Sequence, residues 1–180
     1  MGKPFHHELE LLAQTYEWAL LQDVDPLIES LRPLWGHPLL AIGSGGSLSA
    51  AHLVVTLHQN RTRNLASVCT PLEFLTGPQS GTSTGILLLS AGGRNPDILA
   101  TLWQAIHVEP RWITVLCGTR STPLGKLAKS TELGALYEYS LPSGKDGFLA
   151  TLVGRALRSR SNLKTWSRTP AFTTFARGVS

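Results

Sequence analysis

The chain lacks several features that define whole classes of protein. Its 180 residues include only two cysteines, Cys69 and Cys117, whose spacing fits no metal site, so we expect buried, reduced thiols. No apolar run approaches the roughly 20 residues of a membrane-spanning helix, and the first residues lack the apolar region of a signal peptide. These absences predict a cytoplasmic protein without a membrane partner or a metal.

The common nucleotide-binding patterns are also missing. In the glycine-rich turn at 43–47, Gly46 is not followed by the lysine that a P-loop requires, which excludes a P-loop. Leu48 stands where a dinucleotide-binding turn needs its third glycine, and no acidic residue follows at the distance that holds a ribose. The sequence therefore argues against NAD and ATP, and we expect no cofactor.

The most informative segment is that turn, Gly43-Ser44-Gly45-Gly46-Ser47, between an apolar run at 38–42 and an apolar helix. Such a turn leaves backbone N–H groups unpaired and aimed at one point, with the positive end of the helix dipole behind them. Ser44 and Ser47 add hydroxyl donors. The pattern predicts a site for a phosphate ester, although many such turns only join a strand to a helix.

A second turn of the same type lies further along the chain. The apolar run 85–89 leads into Ser90-Ala91-Gly92-Gly93-Arg94-Asn95, and apolar residues at helical spacing follow from Ile98. In open α/β sheets, ligands bind at the carboxyl ends of the strands, near the point where strand order reverses. We therefore expect the two turns to share one site.

Strand and helix patterns alternate along the chain. Further strands are predicted at 64–69, 111–117 and 135–140, with helices between them. This order implies right-handed crossovers and a mostly parallel five-stranded sheet covered on both faces. The predicted fold class is α/β, a three-layer α-β-α sandwich. We also expect Ser121 to cap the helix near Pro123, and His58 to face solvent.

The two turns resemble those of a known family, the sugar isomerase (SIS) domain of phosphosugar isomerases and phosphosugar-binding proteins. The first is similar to the G-x-G-G-S loop of phosphoheptose isomerases, and the second resembles the family loop Ser-x-Ser-Gly-x-Thr. The resemblance covers roughly residues 36–151 and implies a Rossmann-like or flavodoxin-like fold with a phosphorylated sugar as ligand. Gly92 and Asn95 stand where the family loop has serine and threonine, so hydroxyl donors are lost there, while the loop amides remain and Arg94 could supply charge. The candidate phosphate-binding residues are Ser44, Gly45, Ser47, Ser90, Gly92 and Asn95.

The resemblance also implies a place for a catalytic acid, because SIS isomerases often carry one where this chain has Lys145 and Asp146. Asp146 would move a proton between C1 and C2 of the sugar through an enediol, and Lys145 would stabilise the oxyanion. Glu73 is a third candidate, which either reaches the sugar or is only a charge at a helix N-terminus. An aldose-ketose isomerase and a non-catalytic sensor acting on a protein or DNA partner both stay open.

The chain divides into three segments: N-terminal helices at 1–35, the domain that resembles the SIS family at 36–157, and a basic tail rich in Ser and Thr at 158–180. The first is predicted to be helical; its helices either pair across a homodimer, as the resemblance implies, or cover the subunit's own sheet. From Thr151 onward the sequence has six Lys or Arg residues and no acid, so this region accounts for all of the net charge of +4. We expect a solvated or atypical tail rather than a nucleic-acid-binding module.

Overall fold

The computed structural model describes residue 14 and residues 17–77, 81–131 and 134–139. The strands in these ranges are β1 (Leu39–Ile42), β2 (Ala66–Cys69), β3 (Gly85–Ser90), β4 (Trp112–Cys117) and β5 (Gly134–Glu138). The helices are α1 (Asp25–Leu31), α2 (Gly46–Thr62), α3 (Pro71–Thr76), α4 (Pro96–His107) and α5 (Pro123–Lys129), with a 3-10 helix at Arg32–Leu34. Residues 17–21 are also helical. None of the helices in these ranges has the length and apolar character needed to cross a membrane.

The five strands form one parallel sheet in the order β2-β1-β3-β4-β5. A helix lies between each strand and the next along the chain, as the parallel connections require. This arrangement confirms the predicted α/β class with a five-stranded sheet. The predicted strand limits hold to within two residues, except that Ser140, the predicted last residue of β5, lies outside the described residues.

Both faces of the sheet are covered. Alternate residues of β3 point to opposite faces, so Leu87 and Leu89 pack in one apolar cluster while Ile86 and Leu88 pack in the other. The first cluster includes residues of α1 and α2, and the second includes residues of α3, α4 and α5. Because β3 is central and buried on both sides, its sequence is continuously apolar rather than alternating.

The helix before the sheet packs on the chain's own core. α1 begins at Asp25 with Pro26 in its first turn, and its Leu27 and Leu31 are buried in the first cluster. Thr114 Oγ1 in β4 also donates a hydrogen bond of 2.8 Å to the carbonyl of Ser30. α1 therefore covers the chain's own sheet, while pairing of residues 1–35 across a dimer stays a prediction.

Two expectations about single residues are wrong. His58 is only 7% exposed, because its ring Nε2 lies 2.9 Å from the carbonyl oxygen of His37 and so has a polar partner inside the fold. The cap of α5 is Thr122, whose Oγ1 accepts a hydrogen bond of 3.1 Å from the N–H of Gly125. Ser121 precedes it with φ 56°, a left-handed conformation, whereas a helix cap needs the extended backbone that Thr122 has.

Candidate functional site

The strand order reverses between β1 and β3. From β1 the chain passes to β2 on one side of the sheet and then returns to add β3 on the other side. The register pairs Ile42 with Leu88, so the turns that follow β1 and β3 begin on neighbouring strands at the carboxyl edge. This is the switch point at which open α/β sheets with this strand order bind ligands.

Glycine is required at two positions of the turn after β1. A Cβ on Gly43 would lie 2.7 Å from the carbonyl oxygen of Ser47, so the turn can approach α2 only without a side chain there. Gly45 has φ 56° and is the residue before the first turn of α2. A Cβ built on Gly45 would meet nothing within 4 Å, so the backbone borders open space at that point.

The N-terminus of α2 has no side-chain cap, unlike those of the other helices that begin at this edge. Thr70 caps α3, Asn95 caps α4 and Thr122 caps α5, each by accepting a hydrogen bond from a backbone N–H of the first turn. At α2 the capping position is Gly45, which has no side chain to do so. The amides of Ser44, Gly45 and Gly46 form no hydrogen bond with any part of the chain that the structure describes. They are therefore available to an external acceptor, and the helix dipole favours an anion.

Ser44 and Ser47 stand on either side of these amides. Ser47 lies in the first turn of α2 and is 5% exposed, and its hydroxyl has no hydrogen-bond partner among the described residues. Ser44 is exposed. The turn thus presents backbone N–H groups and hydroxyls without a fixed charge, which is a donor set that suits phosphate.

The turn after β3 is held by its own side chains. Ser90 Oγ accepts a hydrogen bond of 3.0 Å from the N–H of Gly93, which leaves the hydroxyl hydrogen free to point elsewhere. Asn95 Oδ1 accepts one of 2.8 Å from the N–H of Asp97, so this residue has a structural task as the cap of α4. Gly92 and Arg94 are both exposed, and Arg94 forms no ion pair with a described residue.

The loop after β4 supports the loop after β3. The N–H of Gly118 donates to the carbonyl of Ser90 at 2.9 Å, and Thr119 Oγ1 donates to the carbonyl of Ala91 at 3.1 Å. The N–H of Leu124, in α5, donates to the carbonyl of Gly93 at 3.1 Å. The two loops therefore form one hydrogen-bonded unit next to the switch point.

Solved structures share the fold of this chain, although neither a family model nor a curated protein matches the sequence. Tagatose-6-phosphate ketose/aldose isomerase from Escherichia coli aligns with a TM-score of 0.68 at 12% identity, over 86% of this chain and 47% of that one. The C-terminal domain of glucosamine-fructose-6-phosphate aminotransferase from Francisella tularensis aligns with a TM-score of 0.66 at 14% identity, over 96% and 52% of the two chains. This chain has the sugar isomerase (SIS) fold.

A further solved structure with this fold is a complex with ManNAc-6P. The Vibrio vulnificus NanR protein, complexed with ManNAc-6P, aligns with a TM-score of 0.64 at 15% identity, over 97% of this chain and 66% of that one. The chain spans about half of the E. coli isomerase and of the aminotransferase domain, and about two thirds of NanR. The SIS fold is thus found in an isomerase, in a domain of an aminotransferase and in a phosphosugar-bound protein, each of which carries additional chain.

Of the predicted catalytic residues, only Glu73 lies in the described part of the chain. Its carboxylate accepts hydrogen bonds from the N–H of Thr70 at 2.7 Å and from the Thr70 hydroxyl at 2.8 Å. The N–H of Glu73 donates to Thr70 Oγ1 at 3.2 Å, which completes a capping box at the start of α3. The hydrogen bond from the Thr70 N–H, followed by that from its hydroxyl, lowers the pKa of Glu73. Lys145 and Asp146 lie outside the described residues, so the catalytic role of all three stays a prediction.

One acidic residue at the carboxyl edge is absent from the sequence predictions. Glu138 ends β5, and its carboxylate accepts hydrogen bonds from the N–H of Ser121 at 3.0 Å and from Lys129 Nζ at 2.8 Å. The sequence signal is a single acidic residue, Glu138, within the strand predicted at 135–140. The described residues contain no group of three His, Cys, Asp or Glu side chains that could hold a metal ion.

Proposed function

We propose that this chain binds a phosphorylated sugar at the switch point, with the phosphate held between the turns after β1 and β3. The observation that carries the proposal is the uncapped N-terminus of α2. Its amides at Ser44, Gly45 and Gly46 have no hydrogen-bond partner among the described residues, while the other helices that begin at this edge have side-chain caps. A phosphate would accept these hydrogen bonds and interact favourably with the helix dipole.

The turn after β3 would bind the other side of the phosphate. Ser90 uses its oxygen to accept the Gly93 N–H, so its hydrogen can be donated to a phosphate oxygen. Gly92 is exposed, and a Cβ built there would meet nothing within 4 Å, which leaves room for a ligand beside the loop. Arg94 is exposed and would add positive charge.

The solved structures with this fold support a sugar phosphate as the ligand class. One is a tagatose-6-phosphate ketose/aldose isomerase, another is a domain of a glucosamine-fructose-6-phosphate aminotransferase, and a third is a complex with ManNAc-6P. Identities of 12% to 15% are too low to transfer a particular sugar, so the proposal is limited to the phosphosugar class. A homodimer and a cytoplasmic location are part of the same proposal.

Isomerisation is the reaction that we propose if the chain is an enzyme. Asp146 would move the proton between C1 and C2, Lys145 would stabilise the enediolate oxygen, and Glu73 is the third candidate. The alternative is a sensor that binds the sugar phosphate without converting it and acts on a protein or DNA partner. It is favoured by the capping bonds that already occupy the Glu73 carboxylate.

Calorimetric titration with hexose, pentose, heptose and amino-sugar phosphates tests the binding proposal. A hydrogen bond to a charged group contributes about 1.5–3 kcal/mol, so Ser47→Ala should weaken binding at least about tenfold. Ser49→Ala is the matched control, because Ser49 is exposed on the same helix two residues further on. Equal affinities of the Ser47→Ala and Ser49→Ala proteins would contradict the proposed site.

A negative charge introduced at position 92 provides an independent test of the site. In Gly92→Asp the new carboxylate would repel a phosphate bound at this turn. Two unit charges about 4 Å apart in water repel by about 1 kcal/mol, which corresponds to about fivefold in affinity. Gly92→Asn has nearly the same shape without the charge and should retain most of the affinity. Equal losses in the two variants would mean that shape, not a bound anion, determines the effect.

Deuterium exchange separates the enzyme from the sensor. An enediol intermediate exchanges the C2 proton of the sugar with solvent, so an isomerase in D₂O incorporates deuterium that NMR detects. Asp146→Asn should abolish this exchange while leaving phosphosugar binding intact. Binding without any exchange in the unaltered protein would favour the sensor.

A further inference from the structure

Glu138 joins two elements at the carboxyl edge of the sheet. It is the last residue of β5, and its side chain is only 12% exposed. Oε1 accepts the hydrogen bond from the N–H of Ser121, and Oε2 accepts the one from Lys129 Nζ, so both oxygens have partners. The carboxylate therefore fixes the loop after β4 to the end of the neighbouring strand.

The backbone of α5 is shaped to admit this carboxylate. A Cβ added to Gly125 would overlap Oε1 of Glu138, so the carboxylate can lie against the helix only because residue 125 is glycine. Ser121, which donates to the same oxygen, has φ 56°. This left-handed conformation is unfavourable for a residue with a side chain, so it needs support from surrounding contacts.

The loop that Glu138 holds is in contact with the turn after β3. Thr122 follows Ser121 directly, and a Cβ on Gly93 would lie within 2.8 Å of the Cβ of Thr122. Two residues further on, the N–H of Leu124 donates to the carbonyl of Gly93, whose own N–H donates to Ser90 Oγ. A continuous series of contacts thus runs from Glu138 through the loop after β4 to Ser90.

We propose that Glu138 is a positioning residue of the phosphosugar site. By holding Ser121 it fixes the loop after β4, and this loop sets the conformation of Ser90 and Gly93 for phosphate binding. The ligand in this inference rests on the proposed function, whereas the coupling between Glu138 and Gly93 does not. Lys129 donates to the other carboxylate oxygen and has no hydrogen bond with Ser121 or Gly93, so it provides a matched control.

Amide hydrogen exchange in the ligand-free protein tests the coupling. Glu138→Ala should accelerate exchange at Ser121 and Gly93 at least tenfold. Glu138→Gln keeps an acceptor for Ser121 and should stay within threefold of the unaltered protein, as should Lys129→Met. Gly43 lies in the turn after β1, and its N–H donates to the carbonyl of Cys69. Exchange at Gly43 should not change, because only a loss of global stability would accelerate it.

Affinity for the sugar phosphate is the second readout. Glu138→Ala should weaken binding about tenfold, and Glu138→Gln should restore it. Gly125→Ala displaces the carboxylate without removing it and should match Glu138→Ala, which keeps the test available if the latter variant does not fold. Unchanged Gly93 exchange in both Glu138→Ala and Gly125→Ala would overturn the inference. Faster Gly93 exchange in a protein that binds no sugar phosphate would uphold the coupling and overturn only the proposed function.

Discussion

Substitution of Gly93 by alanine should destabilise the fold far more than the same change at the preceding residue. Gly93 has φ 59°, and a Cβ there would lie 2.7 Å from Cys117 Sγ and 2.8 Å from the Cβ of Thr122. Cys117 is fully buried and Thr122 caps α5, so neither side chain can move away easily. At Gly92 a Cβ would meet nothing within 4 Å.

The magnitude follows from three contributions. The left-handed conformation costs an alanine roughly 1–2 kcal/mol, and overpacking a filled interior costs typically about 1–3 kcal/mol. Replacing glycine also restricts the unfolded chain, which stabilises by about 0.4–1 kcal/mol. We therefore expect Gly93→Ala to lower the free energy of unfolding by about 2–4 kcal/mol. Gly92→Ala should leave it unchanged or raise it by up to about 1 kcal/mol.

Urea unfolding followed by circular dichroism measures both variants against the unaltered protein. The difference between Gly93→Ala and Gly92→Ala should exceed about 2 kcal/mol, with similar dependence on urea concentration in all three proteins. A second substitution, Cys117→Ala, removes one of the crowding atoms and should therefore cost less stability in Gly93→Ala than in the unaltered protein. Equal stabilities of the two alanine variants would refute the packing of the loops after β3 and β4 described above.

Two further predictions concern titrating side chains. Burial lowers the pKa of His58 below its ordinary value of 6.5, so the unfolded chain binds more protons and stability should fall as the pH drops below about 6.5. In His58→Gln the stability should depend less on pH. His52→Gln is the control, because His52 is exposed on α2. Equal pH profiles of stability for the two variants would contradict this prediction. Burial, and secondarily the charge of Glu73, raises the pKa of Cys69 from 9.0 to about 11. Alkylation of Cys69 by iodoacetamide at pH 8 should be about a hundredfold slower in the folded protein than in urea, because the thiolate reacts; similar rates would disprove the shift.

The regular elements could be predicted because their signals are local. The continuous apolar run of β3 indicates a strand buried on both faces, and glycine-rich turns followed by apolar helices indicate parallel connections. The turn after β1 could be predicted for the same reason, since Gly43 and Gly45 are needed for the geometry of that turn itself. Local chemistry thus determines most of the fold and the first half of the candidate site.

Contacts between distant residues could not be predicted in this way. His58 is buried because it meets the carbonyl of His37, which is 21 residues away, and Glu138 bonds to Ser121 across 17 residues. These partners become neighbours only once strand order and register are known. Helix caps are also hard to predict. Ser121 and Thr122 are both suitable residue types, and the backbone conformation decides which of them caps α5. The second half of the site rests on such contacts.

An NMR titration of the ¹⁵N-labelled protein shows whether the free amides at the start of α2 bind a phosphate. Each sugar phosphate would be added in parallel with its unphosphorylated sugar. We predict that the amide signals of Ser44, Gly45 and Gly46 shift most, that Gly93 shifts as well, and that the unphosphorylated sugar moves none of them. If the protein binds a sugar phosphate but these amide signals do not shift, or only signals far from the switch point shift, the start of α2 is not the phosphate site.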